Sequence, residues 1–143
     1  MIAAWLRNLR NRFHKAHVCV IADDEQIARY VLSERNVRKD NTIKPDEFIP
    51  HPHADLSVTR HNGFSDEQIW RVGRAVATAR KRPLCGRADF AASTVRKRPL
   101  DVKPDPIAGN PNHAIITGWP PDKSKQKSIA LEIAAASVYH PLA

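Results

Sequence analysis

The sequence predicts an α+β fold: a small, mainly antiparallel sheet with about four helices packed mostly on one face, in a single domain over residues 1–143. Three observations carry that expectation. Short β-branched runs are separated by Pro, Gly and Asn turns, as strands of a small sheet are. Between them lie longer stretches whose apolar residues recur every three or four positions, as on one face of a helix. The chain of 143 residues with 42% hydrophobic and 27% charged residues has ordinary globular composition.

The elements follow in chain order. Ile2, Leu6, Leu9 and Phe13 form one apolar stripe opposite Arg7, Arg10, Arg12 and Lys15, which predicts an amphipathic basic helix over 1–16. Val18–Ile21 reads as a short strand. Asp23 with Gln26 three residues on looks like a capping box, opening a helix to about Arg35 along Ile27, Tyr30 and Val31. Pro45, Pro50 and Pro52 make 36–54 an irregular loop, because each proline drives its predecessor out of the helical region. Leu56–Arg60 alternates as a strand, and Asn62-Gly63 turns the chain. Ser65 and Gln68 then cap a helix that Ile69, Val72 and Val76 carry to about Arg80. Beyond Pro83 come an extended piece at Ala88–Phe90, a helical turn opened by Ser93 and a second extended piece at Leu100–Val102. His113–Thr117 reads as a strand, and Asp122 caps a closing helix to about Tyr139.

Charge is the feature above background. The net +8 is segregated: residues 1–22 hold four bases and no acid, 23–68 ten acids against six bases, and 69–143 thirteen bases against five acids. The basicity of 71–98 falls on predicted elements, with Asp89 its one acid, which points to a folded basic face. Such a face attracts polyanions, since each phosphate it neutralises releases condensed counterions. The expected partner is therefore DNA or RNA, contacted without reading its sequence by Arg71, Arg74, Arg80, Lys81, Arg82, Arg96, Lys97, Arg98, Lys123, Lys125 and Lys127. An internal echo is present, Arg80-Lys81-Arg82-Pro83-Leu84 recurring as Arg96-Lys97-Arg98-Pro99-Leu100; two copies are too few for a solenoid and basic residues crowd by chance in such a chain, but a functional echo would set two basic tripeptides to clamp backbone phosphates.

Two other readings belong to different classes. Four histidines, His51, His53, His61 and His113, fall beside predicted loops and strand ends, where sites are commonly built. Imidazole transfers protons near neutral pH, so a metal-independent nuclease or phosphodiesterase would use His53 and His113 as acid and base, with Arg60 or Arg87 holding the charged transition state. Alternatively the chain is an accessory subunit whose N-terminal helix or acidic middle docks a larger protein. His51-Pro52-His53 raises metal binding, with Asp55, His61, Cys85, Asp89 and His113 as further donors, but no recognised ligand spacing occurs and no metal or cofactor is predicted. Cys85 lies in a basic loop that would lower a thiol's pKa, so it pairs with His113 as a weaker nucleophile candidate. Trp119, between Gly118 and Pro120, is a candidate stacking platform for a base. No apolar run approaches membrane-spanning length and no secretory leader is apparent, so a cytoplasmic protein is expected.

Overall fold

The computed structural model describes residues 20–51 and 55–142. The helix expected over 1–16, Val18 and Cys19 of the expected strand, and His53 lie outside them. Residues 20 and 21 have no strand pairing, and Ile21 is buried in the core.

Six strands form one antiparallel sheet in the order β4-β5-β2-β1-β3-β6. They are β1 (Gln26–Val31), β2 (Leu56–Arg60), β3 (Gly86–Ala91), β4 (Asp101–Pro104), β5 (His113–Thr117) and β6 (Val138–Pro141). Three helices accompany them among the described residues: α1 (Asp66–Arg80), α2 (Ala92–Arg96) and α3 (Lys123–Ala136). The α+β architecture and antiparallel sheet agree with the expectation, whereas the described residues hold three helices rather than about four.

The helix expected over 23–35 is replaced by a turn at Asp23–Asp24 and then β1, an interior strand paired on both sides. Ile27 and Val31 repeat at helical spacing, yet they lie on one sheet face while Ala28 and Tyr30 are buried on the other. A strand covered on both faces loses the alternation that normally reveals it. The β-branched Ile27 and Val31 favour the extended form once tertiary packing offers it.

Register fixes the two faces. Ile27 stands opposite Phe90, and Leu56 and Val102 both stand opposite Ile116. This face packs on Phe48, Val95, Ile129 and Ile133, so the main core lies between the sheet, α2, α3 and the 3-10 turn Pro45–Phe48. On the opposite face Ala28 and Tyr30 pack against Ile69 and Val72 of α1. The two long helices therefore lie on opposite faces of the sheet rather than mostly on one. Helix α1 has the expected cap: the Ser65 hydroxyl accepts from Gln68 N–H and the Gln68 side chain accepts from Ser65 N–H. The helix ends at Lys81 in the left-handed region, φ 54°. The closing helix stops at Ala136, and the chain turns back as the edge strand β6, which the largely exposed residues 138–141 did not announce.

The echo marks one recurring connection. In its first copy α1 passes through Pro83-Leu84 into β3, and in its second α2 passes through Pro99-Leu100 into β4. No helix among the described residues is long and apolar enough to cross a membrane.

Candidate nucleic-acid interface

The sheet opens between β1 and β2. They pair at Ile27–Arg60 and Ala28–Thr59, then part, whereas β3 follows β1 along its whole length. Arg29 spans the opening, its Nη1 donating to the Ser57 carbonyl at 2.9 Å and its Nε lying 3.3 Å from Glu47 Oε1. Beside this opening, on the α1 face, lies a cleft of about 690 Å³, within the usual size of a ligand site.

Each side of the cleft has its own chemistry. Its floor is Ser57, Thr59 and His113 from β2 and β5, and one wall is the apolar flank of α1 at Val72, Val76 and Ala79. The turn Ile107–Asn110 faces that wall, held because Asn110 Nδ2 donates to Thr59 Oγ1 at 3.0 Å. Arg80 and Arg82 stand on the rim, both exposed and without a salt bridge among the described residues. Arg29 and Glu47 close one end. Burial draws the Arg29 guanidinium below its ordinary pKa against the pull of Glu47. Burial also pushes the Glu47 carboxyl up, opposed by Arg29, and Asn36 Nδ2 donates to Glu47 Oε2 at 2.6 Å.

The eleven expected phosphate-contacting residues divide into three groups. Arg71, Arg74, Arg80, Lys81 and Arg82 are exposed along α1 and its end, with Arg71 3.6 Å from Glu67. Lys123, Lys125 and Lys127 are exposed at the start of α3, on the other side of the sheet. Arg96 and Arg98 are taken up by the protein itself. Arg96 donates to the Ile21 carbonyl at 2.6 Å, to Asp23 at 2.9 Å and to Asp101 at 3.1 Å, tying the chain before β1 to β4. Partial burial lowers its pKa, but the hydrogen bonds it donates to Asp23 and Asp101 bring it above the ordinary value. Arg98 pairs with Glu132, and between the two Lys97 remains exposed. The second copy of the echo is thus largely a structural clamp, while the first is free at the cleft rim.

The acid-base set expected from the sequence does not assemble as drawn. His53 lies outside the described residues. His113 is in the cleft floor, its Nδ1 2.8 Å from the Asp105 carbonyl oxygen and 3.2 Å from Asp105 Oδ2. Arg60 lies on the core face, buried to 2% exposure and held by Glu25 through two hydrogen bonds of 2.7 Å. Arg87 is on the α1 face with His61, where both approach Asp89. His51 is exposed at the cleft.

Cys85 is not an activated thiol: burial, then Glu34 and Glu47, push its pKa up. Half-buried Trp119 donates from Nε1 to the Ile116 carbonyl at 3.0 Å and packs on the main core, so it is no exposed platform. Among the described residues no group of three or more His, Cys, Asp or Glu side chains is arranged to hold a metal ion.

Sequence reasoning missed Arg29 and Asn110. Arg29 was hidden in a presumed helix, while Asn110-Pro111-Asn112 gave a turn signal without revealing its partners. Asn112 Nδ2 donates to the Arg60 carbonyl at 3.0 Å, fastening the same turn to β2. No protein-family model, curated protein or solved structure matches this chain.

Proposed function

We propose that this protein binds nucleic acid through its phosphate backbone, seating a single strand in the cleft beside α1. The observation that supports the reading most is the position of Arg80 and Arg82, exposed on the cleft rim without salt bridges among the described residues. Phosphates contact Arg80, Lys81 and Arg82, with Arg74 extending the track along the helix. Sugars and bases lie against Val72, Val76 and Ala79, over the hydroxyl of Ser57. Nothing in such a lining reads base edges, so affinity depends on charge and strand conformation more than on sequence. Stacking against that apolar wall needs unpaired bases, so a single strand rather than a duplex is the expected ligand.

Fluorescence anisotropy with labelled single-stranded and duplex oligonucleotides tests this. Wild type should bind the single strand better, and Ala79→Trp, which fills the cleft, should weaken that binding at least tenfold. Equal binding by wild type and Ala79→Trp would remove the cleft from the account.

A further inference from the structure

The floor of the cleft holds two polar side chains to which phosphate binding gives no task, His113 and Ser57. His113 opens β5 and is fixed from behind. Its backbone carbonyl accepts from Asp105 N–H at 2.8 Å, and its ring Nδ1 lies 2.8 Å from the Asp105 carbonyl oxygen and 3.2 Å from Asp105 Oδ2. A carbonyl oxygen only accepts, so Nδ1 carries a hydrogen, and in the neutral ring that leaves Nε2 as a bare acceptor. The imidazole is thus held in one orientation and one tautomer before any ligand arrives.

Ser57 stands on the same face of the sheet. Register places it opposite Ile115, two residues from His113, so the pair are diagonal neighbours across β2 and β5, roughly 7–8 Å apart. The Ser57 carbonyl is taken by Arg29, but its hydroxyl has no hydrogen-bond partner among the described residues, and neither has His113 Nε2. Both atoms are open. The described side-chain atoms that are buried without a partner belong to His61, Arg87, Asp89 and Glu132, none of which lines the cleft, so Ser57 Oγ and His113 Nε2 keep surface facing into it. Thr59 does not compete with them, being 2% exposed with its Oγ1 accepting from Asn110.

We infer that His113 and Ser57 recognise the ribose 2′-hydroxyl, so that the strand the cleft takes is RNA rather than DNA. The inference rests on the nucleic-acid reading above, which leaves the sugar open. A 2′-hydroxyl is at once donor and acceptor. It donates to His113 Nε2 and accepts from the Ser57 hydroxyl, and two side chains on a diagonal leave between them a gap that one oxygen bridges. The sugar is carried to that gap because the apolar flank of α1 takes the bases while Arg80 and Arg82 on the rim take phosphate. Deoxyribose has a hydrogen in place of the hydroxyl. A DNA strand therefore strips water from His113 Nε2 and Ser57 Oγ and returns no hydrogen bond, the outcome by which a polar site rejects an analogue that lacks its partner group. His113 sets specificity here, and Asp105 positions it.

Fluorescence anisotropy tests this with one sequence made as RNA, as DNA and as 2′-fluoro RNA, on wild type, His113→Ala and Ser57→Ala, with thermal melting alongside. The 2′-fluoro strand keeps an RNA-like sugar but cannot donate, which separates the hydroxyl from strand shape. Wild type should bind RNA about tenfold more tightly than either other strand, the scale of two lost hydrogen bonds. His113→Ala should erase that preference by weakening RNA, with DNA affinity within twofold of wild type, and Ser57→Ala should reduce it. Equal affinity for RNA and DNA, a preference for DNA, 2′-fluoro RNA bound as tightly as RNA, or a full RNA preference in folded His113→Ala would overturn the inference. The comparison of the three strands on wild type decides it even where a variant melts early. Binding of all three strands without preference removes this inference alone, whereas binding of none removes the nucleic-acid reading with it.

Discussion

Arginines of similar sequence context have opposite roles here, and burial separates them. Arg60 and Arg80 each end an element, yet Arg60 is sealed against Glu25 on the core face and Arg80 stands in solvent. Removing one member of a buried pair strands the other's charge, at a typical loss of about 3–5 kcal/mol. Arg60→Ala should therefore lower thermal stability by about that amount, measured by denaturant unfolding, while Arg80→Ala should leave stability within about 0.5 kcal/mol of wild type. The tyrosines give a pH test. Burial pushes the Tyr30 phenol up to about 12 and that of Tyr139 above its ordinary value. These are the chain's two tyrosines. A raised phenol holds its proton better folded than unfolded, so its contribution is whole below the unfolded value near 10 and is lost as pH rises towards the folded one. Absorbance at 295 nm should thus rise at higher pH in the folded protein than in urea, with one of the two phenols still protonated well above pH 10. Titration of both phenols near pH 10 in the native state would contradict the packing around Tyr30.

At the scale of elements, what was legible depended on whether the signal was local. Helix α1 was readable because Ser65, Gln68 and the spacing of Ile69, Val72 and Val76 all lie within the helix itself. Strand β5 was readable because its burial alternates along its length, and β2 because its residues alternate apolar and polar, although only Ser57 of its five is not buried. Strand β1 was misread because both of its faces are covered, by α1 and by the main core, neither of which a short window reveals. Strand β6 was missed because an exposed edge has no pattern, and only pairing with β3 makes Val138–Pro141 a strand. Gly73 illustrates how packing overrides propensity. Alanine normally improves a helix interior by about 0.5–1 kcal/mol over glycine. Here a Cβ would stand 2.6 Å from Cε1 of the Tyr30 ring and 2.8 Å from Cδ1. Gly73→Ala should therefore destabilise, by about 1–3 kcal/mol of overpacking; a stabilised variant in thermal melting would show that α1 does not sit this close to β1.

For the whole molecule, the sheet decides which charges meet. The sequence separates Arg96 from Asp23 and His61 from His140 by long stretches, and no local pattern relates them. The strand order β2-β1-β3-β6 collects His61, Asp89, Arg87 and His140 at one end of α1, and the parting of β1 and β2 creates the cleft at the other. The excess of positive charge was therefore legible, while its division between an open rim at Arg80–Arg82, a structural clamp at Arg96 and lysines on the far face was not. Binding depends on that rim meeting phosphate. The most direct measurement is single-strand affinity across a salt series for wild type and the Arg80→Ala/Arg82→Ala double variant. Each lost phosphate contact should flatten the plot of log affinity against log salt by about 0.7, so the double variant should be shallower by about 1.4 and bind more weakly at every salt concentration. A wild-type affinity indifferent to salt, or an identical slope in the variant, would contradict it.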